Sequence, residues 1–400
     1  MPKAFKLSLL GISVLLVVFV FLGGILPGGV HAGSDATAYQ QIEVYSEVLQ
    51  HIQNDYVVTP NIPDVTTGSL HGLLEGLDPD SGYLTPEEFK SYQAHENESK
   101  AQIGVDISKH YGYATVVSVV PGSPADKASI ADGDVIEAID NQSTRVMPLQ
   151  MIQLLLDGAP GSNVKLSVIR PNSATPDALT LTRTQVQYPA LHTDEYENNS
   201  ILYLKPYELT KDRVDETIAR LRLMRQNGQK KVLLDLRDVS DGDMDSAVRL
   251  SDAFLQSGTI ATLEGQVYPK KTWTADGKDF VTAAPLVVLI NHGTSGAAEI
   301  VAAALEDNNR AQLVGDRSFG SGSVQKQIPL PDGAVLFLSV AKYHTPSGKL
   351  LEKEAVTPNV LVAANNESAA GVAPSPSAEK SQQTDDQLQK ALSLLKQKTA

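Results

Sequence analysis

PLVVLINHGTSGAAEIVAAALEDNNRAQLVGDRSFGSGSVQ, residues 285–325, carries two structural periods in succession. Leu286–Ile290 is a short apolar run bounded by Pro285 and Asn291, the pattern of a buried strand. Asn291, His292, Gly293 and Thr294 read as a sharp turn, after which Ile300, Ala303, Ala304 and Leu305 recur at helical spacing. Residues 311–314 read as a further strand that runs into the Gly/Ser loop 319–323. A strand, a Gly-containing turn and a helix bring backbone N–H groups and any side chain at the turn to one exposed corner. Outward from this unit the pattern repeats. Residues 201–204 and 232–236 read as buried strands, and 335–340 as another. Val214, Ile218, Leu221 and Met224 mark an amphipathic helix that Gly228 caps, and Ala247, Leu250 and Leu255 mark a second. Strands alternating with helices imply an α/β layer.

Gly296 lies three residues before Glu299, and Ser321 lies 25 residues after Gly296 within Phe319-Gly320-Ser321-Gly322-Ser323-Val324-Gln325. This pattern resembles the carboxy-terminal processing peptidases, or tail-specific proteases, serine enzymes that use a Ser–Lys pair. Their nucleophile segment reads roughly N-x-x-S-A-S-A-S-E-I, and their base sits in F-G-K-G-T-V-Q. The resemblance implies catalytic positions at Gly296, Ser321 and Gln325, and the first two hold residues unable to do the chemistry. Glycine has no side chain to attack a carbonyl, and a serine cannot take up a proton as a neutral lysine amine does. Ser295 is the weak substitute nucleophile, but one residue along a helical turn is a rotation of about 100°, and a turn or N-cap role suits it better. Lys326 reads as a solvated lysine beside a strand, and His292, with no placed acid, as a turn histidine.

The family's D-L-R-x-N-P-G-G loop corresponds to Asp235-Leu236-Arg237-Asp238-Val239-Ser240-Asp241-Gly242. The resemblance makes Asp241, Gly242 and Ala297 the oxyanion region. There Asp241, with Asp238 and Asp243 beside it, is expected to oppose a developing negative charge. The expectation is a family member without catalysis that binds protein C-termini as a scaffold, adaptor or competitor. An active serine endopeptidase with a rewired site, Ser295 served by a partner's base, is the alternative, and a plain structural subunit is a third.

Residues 102–184 change to short strands, expected at 103–107, 113–120, 134–139 and 164–169. The intervening Pro121-Gly122-Ser123-Pro124-Ala125 and Ile130-Ala131-Asp132-Gly133-Asp134 make the segment similar to a PDZ domain, with Ser129 where Gly is usual. A PDZ fold takes a peptide as an added strand and holds its carboxylate on backbone N–H groups. The resemblance implies a nest at Gln102, Ile103, Gly104 and Val105. The helix Leu149–Leu156 would be the other wall, through Met151, Ile152 and Leu155, which could equally fill the core.

Residues 38–98 read as helical, with Ile42, Tyr45, Val48, Leu49 and Ile52 at helical spacing, a break at 58–63 and a helix start at Thr85-Pro86-Glu87-Glu88. Residues 77–89 are similar to the family's L-D-P-H-S-x-Y-L-x-P-E-E-F, with Asp80 where His is usual. Asp78 and Asp80 lack the further ligands of a calcium loop, so they read as a turn, and neither metal nor cofactor is expected.

The fold class expected is α+β multidomain: a helical segment, a PDZ-like β domain, and a ClpP/crotonase-like α/β core at 188–363. An Ala/Ser/Pro-rich linker at 364–383 and a helix at 384–400, with Leu388, Leu392 and Leu395 on one face, complete it. A net charge of −14 argues against nucleic acid as partner. The absence of cysteine excludes disulfides and thiolate chemistry. Lys3 and Lys6 precede an apolar run at 7–26 and a Val-His-Ala end, so 1–32 reads as a secretory signal or a membrane anchor. Export to the periplasm or the extracytoplasmic face of the membrane follows, with a second copy or an active relative as further partner candidates.

Overall fold

The computed structural model describes residues 32–96, 101–110, 112–171, 173, 175–363 and 385–398. The apolar run 7–26 and the linker 364–383 lie outside the described residues. No described helix is long and apolar enough to cross a membrane.

The chain forms two compact units, one ending at Thr66 and one beginning at Thr67. The first holds α1 (Ala32–Asp55), where the helical spacing from Ile42 to Ile52 is realised, and the start of α2 (Ile62–Glu75). Pro63 sits in the first turn of α2, where its missing N–H costs nothing.

The second unit contains three sheets. Its first strand, β1 (Gly82–Leu84), interrupts the region expected to be helical and pairs with a strand far along the chain. Helix α3 (Pro86–Glu96) follows. Thr85 Oγ1 accepts from Glu88 N at 3.3 Å while Glu88 Oε2 accepts from Thr85 N at 2.8 Å, a capping box.

The PDZ-like segment comprises β2 (Val105–His110), β3 (Tyr113–Val119), α4 (Pro124–Lys127), β4 (Val135–Ile139), β5 (Gln142–Ser143), α5 (Leu149–Leu156), β6 (Asn163–Ile169) and β7 (Asp177–Thr182). Its sheet runs β2-β3-β4-β6-β7, so β2 is an edge. That strand starts two residues later than expected because Gly104 has φ +84°, and a Cβ there would lie 2.3 Å from Ser123 Cβ. Only glycine fits.

The remainder comprises β8 (His192–Tyr196), β9 (Ile201–Lys205), α6 (Lys211–Leu223), β10 (Lys231–Asp235), α7 (Met244–Asp252), β11 (Gly258–Glu264), β12 (Lys271–Ala275), β13 (Leu286–Ile290), α8 (Ala297–Asp307), β14 (Gln312–Gly315), β15 (Ser323–Pro329), β16 (Val335–His344), α9 (Leu351–Glu354), β17 (Val360–Leu361) and α10 (Asp386–Gln397). One sheet has the order β17-β14-β13-β10-β9-β8, parallel except for β8. Strands β9, β10 and β13 read as continuous apolar runs because both faces are covered. Leu202, Leu204, Leu234 and Val288 pack in one cluster with Ile218, Leu250 and Val301 from α6, α7 and α8. Ile201, Tyr203, Leu233 and Val287 pack instead against Ala391, Leu392 and Leu395 of α10. That helix is too short to be stable alone, and docking supplies what propensity lacks. Arg237 forks onto Asp385 at 3.0 and 2.8 Å to fix its start. The third sheet, β1-β16-β11-β12 with β15 on β16, stands beside the loop that follows β14.

Candidate functional site

The corner after β13 is tied down by its own polar groups. Asn291 N donates to Thr294 Oγ1 at 3.0 Å, Thr294 Oγ1 donates to Leu236 O at 2.8 Å, and Ser295 N donates to Val239 O at 3.0 Å. Gly296 then caps α8 with φ 57° and ψ −115°, a conformation hostile to side chains. A Cβ there would meet only Ser240 O, at 3.9 Å, so the penalty lies in the backbone and not in space.

Glu299, fully buried, joins this corner to the loop before β15. Its Oε2 accepts from Gly296 N at 3.0 Å and from Ser321 N at 2.8 Å; its Oε1 accepts from Gly320 N at 2.7 Å and from Ser318 Oγ. Positions 296 and 321 thus hang on one carboxylate oxygen, and the Gly/Ser loop is clamped. Burial pushes this carboxyl up to about 7, against the pull of its four donors. The sequence reading used Glu299 as a ruler and missed this role.

Gly242, Gly296, Ala297, Ser321 and Ser323 help line a cavity of about 180 Å³ beside this clamp. No Lys, Arg or His among the described residues lines it. Ser295 is 4% exposed and lies outside the lining of this cavity. His292 is exposed and packs edge-on against Phe319, 5.4 Å between ring centres. Gln325 and Lys326 are exposed on β15. Ser323 Oγ donates to Asp80 Oδ2 at 2.5 Å, and Asp78 accepts from Ser81 N at 2.7 Å and from Ser339 Oγ at 3.0 Å. The two acids therefore hold the turn before β1 against β15 and β16.

The carboxylates of the 235–243 loop do not gather as expected. Leu209 N donates to Asp241 O at 2.8 Å and Asp243 N to Leu209 O at 3.3 Å, so 241–243 lies extended beside Leu209. Successive side chains then alternate. Gly242 faces the 180 Å³ cavity, pressed between Leu209 and Ala297. Asp243 caps α7, accepting from Ser246 N at 2.8 Å, and Asp238 accepts from Asn291 Nδ2 at 2.7 Å. Asp241 lines a different cavity, so the expected gathering of carboxylates is corrected: Gly242 is the residue of this stretch that lines the cavity of Gly296.

That second cavity, about 480 Å³, is the groove between β2 and α5. Gln102, Ile103, Gly104 and Val105 line it as expected of a nest, but Gln102 N is spent on Thr184 O at 2.8 Å. The amides of Ile103 and Gly104 donate to no acceptor among the described residues. From α5 the lining is Gln150, Gln153, Leu154 and Leu156, not Met151, Ile152 or Leu155. Ile152 is fully buried in the PDZ-like core with Leu155 against it, and Met151 packs on Leu84, Val335 and Phe337. The helix is enclosed from several sides, which sequence periodicity does not reveal. Tyr188, Ser240 and Asp241 close the groove's far end, adjoining the 180 Å³ cavity through Gly242. Asp106 also lines the groove. Burial, with Asp241 and Asp80 nearby, pushes its carboxyl up to about 6 while a hydrogen bond from Ser240 pulls it down.

Residues 200–362 match the profile of peptidase family S41, and 115–170 match a PDZ domain profile. The chain is similar to a carboxyl-terminal-processing protease of Picosynechococcus sp., 31% identical over 337 residues, which are 83% of this chain and 79% of that protein. It is similar to the carboxy-terminal processing protease CtpA of Bacillus subtilis, 30% identical, over 82% of this chain and 70% of that protein. Among solved structures, the photosystem II D1 C-terminal processing protease shares the fold, with a TM-score of 0.66 and 24% identity over 80% of this chain and 92% of that one.

Proposed function

This chain belongs to peptidase family S41, among the carboxy-terminal processing proteases, and from that membership we propose that it binds protein C-termini without cleaving them. It would serve as a scaffold, adaptor or competitor for an active relative. One observation carries the reading: the cavity shared by Gly296 and Ser321, the positions that the family resemblance gives to nucleophile and base, is lined by no Lys, Arg or His among the described residues. The free amides of Ile103 and Gly104, at the end of an edge strand, support capture of a peptide carboxylate. Segments 102–184 and 188–363 are the peptide-binding and peptidase-like domains of this reading, and the 7–26 run supports an exported or membrane-anchored chain.

Two measurements test it. The purified protein should form no adduct with a serine-directed phosphonate by intact mass and should not shorten an unstructured protein with an apolar C-terminus. An adduct on any serine would overturn the loss of catalysis. A peptide with a free apolar C-terminus should bind roughly ten- to hundredfold more tightly than its amide, the ~1.5–3 kcal/mol of a charge-assisted hydrogen bond. Equal affinities would remove the carboxylate nest.

A further inference from the structure

We propose that the groove selects C-terminal peptides carrying a basic side chain at the penultimate or the fourth-from-last residue, read by Asp106 and Asp241; this rests on the peptide-binding function proposed above. A peptide added to the free edge of β2, its carboxylate on the Ile103 and Gly104 amides, lies beside Asp106 within its last few residues, at about 3.3 Å per residue. Its side chains alternate between two faces. Ile107 is buried in the PDZ-like core, on the face shared with α5, so the terminal residue and the one two before it turn toward Leu154 and Leu156. Asp106 takes the opposite face. It pairs across the sheet with Ser118, and Ser118 Oγ lies 2.6 Å from Ser240 Oγ, so this face looks at the 240–241 loop. The penultimate and fourth-from-last side chains therefore meet Asp106 and Asp241.

The chemistry of the lining supplies the charge. Asp106, Asp157 and Asp241 line the cavity, and no Lys, Arg or His among the described residues does. Neither Asp106 nor Asp241 forms an ion pair among the described residues; Asp241 lies beside Tyr188 and Asp106 beside Ser240. Gln150, 5% exposed, lines the same cavity. Its Nε2 is spent on Asp80 O at 2.9 Å, while its Oε1 has no partner. That oxygen lies against Gly82, so a cationic side chain on the peptide is read by the two carboxylates. On that face the groove offers two carboxylates without a cationic partner among the described residues, which a lysine or arginine would supply.

Calorimetry on the intact protein with three free-acid peptides tests this: one apolar terminal residue throughout, and Lys, Gln or Glu at the penultimate and fourth-from-last positions. The Lys peptide should bind about tenfold more tightly than the Gln peptide, which corresponds to ~1.4 kcal/mol, and the Glu peptide more weakly than either. Raising the salt should narrow the gap. In an Asp106→Asn/Asp241→Asn variant that keeps its thermal midpoint, the Lys-to-Gln ratio should fall toward one. Equal binding of Lys and Gln peptides by the wild type would overturn the charge selection while leaving peptide capture standing. Binding of none of the three would overturn both. An unchanged ratio in the double variant would overturn the assignment to these two carboxylates.

Discussion

Glu299→Gln tests whether one carboxylate holds the corner together. Glu299 Oε2 takes two N–H groups and Oε1 takes one N–H and the Ser318 hydroxyl. A glutamine amide must turn its NH2 toward one of these pairs. The less costly choice faces Ser318, whose oxygen also accepts from Val356 N, and strands the Gly320 N–H and the Ser318 hydroxyl proton. One buried unsatisfied donor costs about 1–3 kcal/mol. The pH dependence is more diagnostic. Burial lifts the carboxyl from 4.5 to about 7, so the folded chain keeps this proton to higher pH than the unfolded chain does. The stability it contributes is full below about pH 4.5 and is lost as pH rises through 7. A shift of that size corresponds to ~3 kcal/mol. Glutamine does not titrate, so the cost of Glu299→Gln should be largest below about pH 4.5 and shrink by ~3 kcal/mol toward pH 8. Asp106 and Asp252, both pushed up to about 6, act in the same direction but are present in both proteins and cancel in the difference. Trp273, the one tryptophan of the chain, packs against the core cluster, so urea unfolding followed by its fluorescence reports this domain. Parallel pH profiles for the two proteins would refute the account of Glu299.

Gly296→Ser with Ser321→Lys should restore phosphonate labelling, at a strain cost of ~1–3 kcal/mol in unfolding experiments because φ is 57° at position 296; because Asp241 faces the groove, adding Asp241→Gly should raise the labelling rate little, and a large gain would return that carboxylate to the oxyanion. Gly104→Ala should abolish binding of a free-acid peptide in calorimetry, since its Cβ would meet Ser123 at 2.3 Å; retained affinity would mean that the nest lies elsewhere. Leu392→Ala, emptying a buried position of α10, should cost ~2–5 kcal/mol in the same urea experiment. A cost under ~0.5 kcal/mol, typical of surface sites, would mean that the helix is not docked.

What the sequence disclosed and withheld divides along physical lines. The parallel strands were legible because burial on both faces leaves them continuously apolar, as LVVLI of β13 is. β8 (HTDEY), β12 (KTWTA) and β15 (SVQKQIP) were not, because they are largely exposed and carry no apolar alternation. The spacing of 25 between positions 296 and 321 was legible, and both backbones hang on Glu299 Oε2. Side-chain direction was the part withheld. Nothing in Ser240-Asp241-Gly242-Asp243 announces that it runs extended beside Leu209, yet that pairing turns Asp241 into the groove and Gly242 toward the other cavity. In the same way, helical spacing grouped Met151, Ile152 and Leu155 on one face of α5. Met151 instead serves the cluster around Leu84 and Phe337, leaving Gln150, Gln153 and Leu154 to the groove.

Both failures have one cause. A period predicts a face only when a single neighbour claims it, and these two segments lie where the PDZ-like sheet, β1 and β16, and the 235–243 loop meet. Adjacent residues there serve different cavities, as Asp241 and Gly242 do. A peptide held in the groove and a chain entering the smaller cavity would therefore touch consecutive residues of one loop. A glycine at position 296 leaves that adjacency untouched, because the loop is fixed by Leu209 and by the Asp243 cap, neither of which depends on a side chain at 296.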